Sequence, residues 1–135
     1  MNGERGAATM LIVLAVTALF SMAGLAYDGG RILAARREAI DAAQSAARAG
    51  AQSVDSSALR SGRVALEHDA AVRAAEAFLH AAGYEGDATV VGNEVHVTVT
   101  ITRDLALLSL VGMHERTVEG RGEARPVRGV SGPET

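Results

Sequence analysis

The sequence predicts an α+β fold. One long N-terminal transmembrane helix continues into a small domain, where a second helix packs on a sheet of at least three strands. Three observations predict it. Gly6 to Tyr27 is a run of 22 residues without a charge. Ala-rich stretches after it repeat apolar residues at helical spacing. Beyond Gly83 the period drops to two, with Val and Thr alternating.

At about 1.5 Å per residue, the charge-free run spans ~30 Å as a helix, the thickness of a bilayer's hydrocarbon core. Leu11, Ile12, Val13, Leu14, Val16, Leu19, Phe20, Met22 and Leu25 fill it, among Ala, Thr, Ser and Gly. A cleaved secretory signal is a competing reading, with Gly24-Leu25-Ala26 as its cut site. Such signals have apolar runs of only about 7–15 residues and a basic leader. Here the leader holds Arg5 beside Glu4. A buried core helix is disfavoured because the rest of the chain is too small to surround it. A single-pass anchor is therefore expected at residues 7–27, after a short leader at 1–6. Charge leaves orientation open: Arg5 lies on one side, and Arg31, Arg36 and Arg37 lie on the other near Asp28, Glu38 and Asp41.

The chain beyond Tyr27 allows one small domain at residues 28–126 and a disordered tail at 127–135. All 13 basic residues are Arg, and the net charge of −3 argues against nucleic acid as a partner. The chain has no Cys, which excludes disulfides. With two Phe, two Tyr and no Trp, the core must be built from Ala and Val and should be thin.

Residues 31–53 read as a helix continuing from the membrane, with Leu33, Ile40, Ala43 and Ala47 on its apolar face. Gly29-Gly30 is either a bend at the lipid boundary or glycine tolerated within the helix. Ser53 to Ser57 reads as a turn. A second helix is expected at about Ala65–Ala82, stopped by Gly83, with Phe78 and Leu79 pointing into the core. Gly92-Asn93 suits a two-residue hairpin loop that sets Val91 opposite Glu94, Val90 opposite Val95 and Ala88 opposite Val97. The pairing gathers Ala88, Val90, Val95, Val97, Val99 and Ile101 on one face. Asp104 is placed to cap a short helix from Leu105 to about Val111, ended by Gly112. A last strand, about Arg116–Arg125, turns Val118, Gly120, Gly122 and Ala124 inward, small enough to let a helix approach closely. Whether it returns antiparallel or crosses over is open.

No catalytic, metal or cofactor constellation is expected. His68, His80, His96 and His114 are scattered, and the acids beside His68 sit at i±1, where helical side chains do not meet. Gly120-Arg121-Gly122 is not a nucleotide fingerprint, because no helix follows it. The anchor offers more. Thr17, Ser21, Gly24 and Asp28 share one face, and small residues at such spacing let helices pack closely in lipid. Asp28 at the lipid boundary adds a charge that needs a partner, with Arg31 at i+3 as the nearest candidate in cis.

Glu4-Arg5-Gly6-Ala7-Ala8, the apolar helix, then Tyr27-Asp28-Gly29-Gly30-Arg31 and the Arg36-Arg37 pair resemble the N-terminal region of TadE/TadG-like proteins of bacterial tight-adherence (Tad/Flp) pilus-assembly systems. In that family an Arg-Gly-Ala start precedes the membrane helix and an Asp-x-Gly-Arg-like exit follows it. Gly6 matches the start; Asp28, Gly30 and Arg31 match the exit. The likeness covers residues 4–51 well and 94–126 loosely. It implies a minor pilin or pseudopilin-like component whose pilin-like domain lies outside the cytoplasm. Its partners would then be the membrane and other pilus-assembly or pilin-like proteins, homo-oligomers included. One departure concerns processing. A prepilin cut usually leaves Glu five residues on, whereas cuts after Gly6 or Gly3 would leave Leu11 or Ala8 there.

The leading expectation is a structural component that packs its membrane helix against like helices. The alternative is an anchored extracytoplasmic binding module that uses the face formed by Thr98, Thr100 and Thr102.

Overall fold

The computed structural model describes residues 2–55, 59–62 and 65–126. The tail expected to be disordered, 127–135, lies outside the described residues. Helix α1 is Asn2–Ala51 and helix α2 is His68–Ala82. Strands β1 (Glu85–Val91), β2 (Glu94–Asp104) and β3 (Glu115–Ala124) form one antiparallel sheet in the order β1-β2-β3, with a 3-10 turn at Leu108–Val111 between β2 and β3. The fold is α+β, as predicted. Of the described residues, those up to 34 form one compact unit with 102–116, and those of 35–101 form a second with 117–126.

In the second unit the β hairpin has the expected register. Val91 faces Glu94, Val90 faces Val95 and Ala88 faces Val97, and the ladder extends to Glu85 opposite Thr100. Gly92 takes the first loop position with φ 63°, a positive angle that glycine adopts without steric cost. β1 begins at Glu85, ahead of the expected pair at Ala88, because Glu85, Gly86 and Asp87, poor strand formers, are held by pairing to β2. Val95, Val97, Val99 and Ile101 are buried beside Ala88.

β3 explains the helix that packs on this sheet. A side chain at Gly120 would run into the backbone of Ala39 and Ile40, and one at Gly122 into the backbone of Ala43 and Gln44. At that separation only methyl groups fit between helix and strand. The buried stripe of α1 is accordingly Ala35, Ala39, Ala42, Ala43, Ala46, Ala47 and Ala51. Two expectations are corrected here. Leu33, placed on the apolar face, is 51% exposed, and Ile40 is only half-buried. Large apolar side chains usually mark a core face; at Ile40, however, the glycines of β3 bring the strand onto the helix backbone and the buried positions beside it are alanine.

α2 starts at His68 rather than Ala65 because Ala65–Glu67 is already committed to the preceding segment. Val54 and Leu66 form an antiparallel bridge, with Asp55 N–H donating to the Ala65 carbonyl at 2.9 Å and Glu67 N–H to that of Ser53 at 3.0 Å. The Asn93 side-chain oxygen accepts the Leu66 N–H at 2.8 Å, tying the hairpin loop to this segment. The buried residues of α2 are Ala71, Ala75 and Leu79, one per turn. Phe78 was expected to point inward; it lies one position round from that row and is 38% exposed. The helix stops at Gly83 with φ 74°, and Tyr84 N–H donates back to the Leu79 carbonyl at 2.9 Å.

Candidate functional site

The residues that sequence reasoning singled out lie on α1, most of them in the first unit. Gly29 and Gly30 are helical, and α1 is continuous to Ala51. Its apolar part is long enough to cross a membrane by length and composition, which makes it a candidate anchor. Leu11, Leu14, Leu19, Phe20, Met22 and Leu25 are all exposed on it. Gly6 has open space around it, as has Gly30, and Arg31, Arg36 and Arg37 are exposed.

The small-residue face divides into two parts. Thr17 and Ser21 are exposed, and their hydroxyls donate to the carbonyls four residues back, at 2.8 and 2.9 Å, on Val13 and Thr17. This satisfies the hydroxyls within the helix, as an apolar medium demands. Gly24 and Asp28 are buried instead, under the chain's own turn between β2 and β3. The Leu107 side chain lies over Gly24, with its Cβ and Cδ1 both 3.2 Å from where a glycine substituent would begin.

Asp28 is fully buried, and its carboxylate accepts three backbone N–H groups in succession. Ala106 donates to Oδ1 at 3.1 Å, while Leu107 and Leu108 donate to Oδ2 at 2.9 and 2.7 Å. These are the unpaired donors at the start of the 3-10 turn, and a carboxylate is the acceptor such a turn favours. Two expectations are corrected. Asp104 was placed as the cap of this turn, but the turn has no cap from a neighbouring side chain, and Asp28 supplies the acceptor from nearly eighty residues away. Arg31, the candidate partner in cis, does act on the Asp28 charge, and its guanidinium also lies over the Tyr27 ring, 6.0 Å from the centroid. The turn itself is a short 3-10 segment, Leu108–Val111, rather than a helix from Leu105. Gly112 closes it with φ 89°, and Leu105 N–H donates to the His114 carbonyl at 2.8 Å.

Sequence reasoning missed Leu107 and the backbone of Ala106–Leu108 as members of this site. The available signal was the absence of any charge from Leu105 to Met113. Nothing local, however, pairs that stretch with Asp28.

In the second unit the polar groups serve the sheet. His68 Nε2 lies 2.8 Å from the Gly92 carbonyl, which can only accept, so this nitrogen carries the proton. His96 stands between Glu94, at 3.8 Å, and Glu123, at 3.4 Å. Thr98 and Thr100 are half-buried on the sheet face opposite the valines. A shallow groove is bounded by Arg48, Gln52, Val54, Arg125 and Pro126, and no acid–base or ligating set converges on it.

The Arg125 guanidinium donates to Glu94 Oε2 at 2.9 Å, and this hydrogen bond holds the Glu94 carboxyl below its usual range. A depressed carboxyl contributes stability that is complete above the unfolded pKa and is lost as pH falls through the folded one. Acid unfolding of wild type and Glu94→Gln should therefore differ by a constant small amount at neutral pH and converge below the usual glutamate range. A constant gap down to strong acid would mean that the ion pair contributes nothing.

No curated protein and no solved structure matches the chain. Residues 6–53, which hold the exposed apolar helix, the buried Asp28 and the Arg- and Ala-rich continuation, match the family model described as "Putative Flp pilus-assembly TadE/G-like", so the resemblance read from the residues holds over that segment.

Proposed function

We propose that the chain is a non-enzymatic, membrane-anchored component of a Tad/Flp-type pilus or secretion assembly, minor pilin or pseudopilin-like. It acts by packing its N-terminal helix against like helices in the membrane. The observation that carries this reading is the apolar part of α1: within the family-matched segment it is almost wholly uncovered by the other described residues. An uncovered helix of that length and composition needs lipid or other helices around it. The same proposal puts residues 28–126 outside the cytoplasm.

The division of the small-residue face sharpens the packing proposal. Gly24 and Asp28 already have an intramolecular partner, so the surface free for a neighbouring helix is the part around Thr17 and Ser21. Ser21→Leu is the clean probe of packing, because Gly24→Ile would also displace Leu107. In a membrane self-association assay Ser21→Leu is expected to weaken association by on the order of tenfold, the effect of losing a close small-residue contact. Association equal to wild type would sink the packing role.

Orientation is checked separately with Arg121→Cys, the only thiol in a chain that has no cysteine. A membrane-impermeant maleimide should label it in cells whose inner membrane is intact. Labelling only after lysis would put the domain in the cytoplasm and overturn the placement.

A further inference from the structure

The turn that rides on α1 buries Leu105 but presents three other large apolar residues outward. Leu110 is 82% exposed, and Leu107 and Met113 are each nearly half exposed. They belong to a stretch, Leu105–Met113, that holds no charge, between Arg103-Asp104 and His114-Glu115-Arg116. A cluster of this kind marks a surface that something apolar covers. Its position identifies the cover. Asp28 fixes the turn at the end of the apolar segment, and Leu107 lies over Gly24, one turn deeper, ~6 Å along the helix. At that level the anchor itself exposes Met22 and Leu25. The apolar side chains of the turn therefore continue the surface that the anchor offers to lipid.

The backbone of the turn is suited to the same medium. Away from water every N–H needs a partner within the protein. Asp28 takes those of Ala106, Leu107 and Leu108. Leu110 N–H donates to the Leu107 carbonyl at 3.2 Å, Gly112 N–H to that of Ser109 at 3.1 Å, and Met113 N–H to that of Leu108 at 3.1 Å. The Ser109 hydroxyl donates to the Ala106 carbonyl at 2.8 Å.

We infer that Leu105–Met113 is a second membrane contact, a turn that dips into the boundary between headgroups and acyl chains beside the anchor. The occupant of its apolar surface is the bilayer. The inference rests on the reading of residues 7–27 as a membrane span.

The test uses the full chain in phosphatidylcholine–phosphatidylglycerol vesicles, with an environment-sensitive fluorophore on a single cysteine. Leu110→Cys reports the turn, Phe20→Cys the anchor and Arg121→Cys the sheet. Lipids carrying a quencher just below the headgroup should quench the Leu110 label on the order of twofold more than the Arg121 label, since an interfacial contact sits ~5–10 Å deep. Met113→Cys repeats the measurement should Leu110→Cys not fold. Quenching at Phe20 but at neither turn position overturns the inference and leaves the anchor standing. Quenching at none of them overturns both. A Leu110 label shielded from water yet untouched by lipid quencher, with cross-links between chains, means that protein covers the turn, and this also overturns it.

Discussion

Gly120→Ala is expected to destabilise the second unit by about 3 kcal/mol or more, among the larger effects of a single added carbon. The added methyl would occupy the space of the Ala39 carbonyl carbon and the Ile40 nitrogen. Both are helix backbone and cannot rotate aside as a side chain can. Either α1 moves off β3, opening the alanine-lined core along its length, or the strand leaves the sheet. Gly122→Ala should behave alike, because it meets Ala43 and Gln44 in the same way one turn further on. Glu119→Ala, on the exposed face of the same strand, should stay within about 0.5 kcal/mol of wild type. Urea unfolding of the three variants in detergent micelles, followed by circular dichroism, reads the difference. A Gly120→Ala midpoint equal to that of Glu119→Ala would contradict the close approach of helix and strand.

Asp28→Ala should release the turn between β2 and β3. Three backbone donors lose their acceptor at once, in a place where water is scarce. Amide hydrogen exchange at Ala106, Leu107 and Leu108 should accelerate by ~10-fold or more, while exchange in β1 is unchanged. Asp28→Asn should fall between, because an amide keeps one accepting oxygen where the carboxylate had two. Asp104→Ala is the informative control. The local sequence makes Asp104 the cap, and the folded chain makes it Asp28, so only the Asp28 variants should move these amides. Acceleration in Asp104→Ala with none in Asp28→Ala would restore the sequence-local cap.

The two results bear on different parts of the proposed role. The glycine–alanine contact holds the alanine-rich part of α1 on the sheet. The Asp28 contact holds a loop against the exit of the candidate anchor. Asp28 lies inside the family-matched segment, whereas its partners Ala106–Leu108 lie outside it.

Much of this was legible in the residues. Periods of 3.6 and 2 are set by backbone geometry, so the helices, the Gly92-Asn93 hairpin and its register followed from local pattern. The charge-free run marked the candidate anchor because burying charge in hydrocarbon is costly at any position. Small inward residues in β3 announced a close helix. What local pattern could not supply was partnership across long separations. Phe78 and Leu79 are equally apolar, and only the placement of α2 on the sheet decided which one is buried. Ile40 looked like a core residue, but the glycines of β3 meet the helix backbone at Ala39–Gln44, where the buried row is alanine. Asp28 looked like a charge in search of another helix, and Asp104 like a cap. A carboxylate goes to whichever unpaired N–H groups the fold brings to it, and folding brought those of residue 106 to 108 to Asp28.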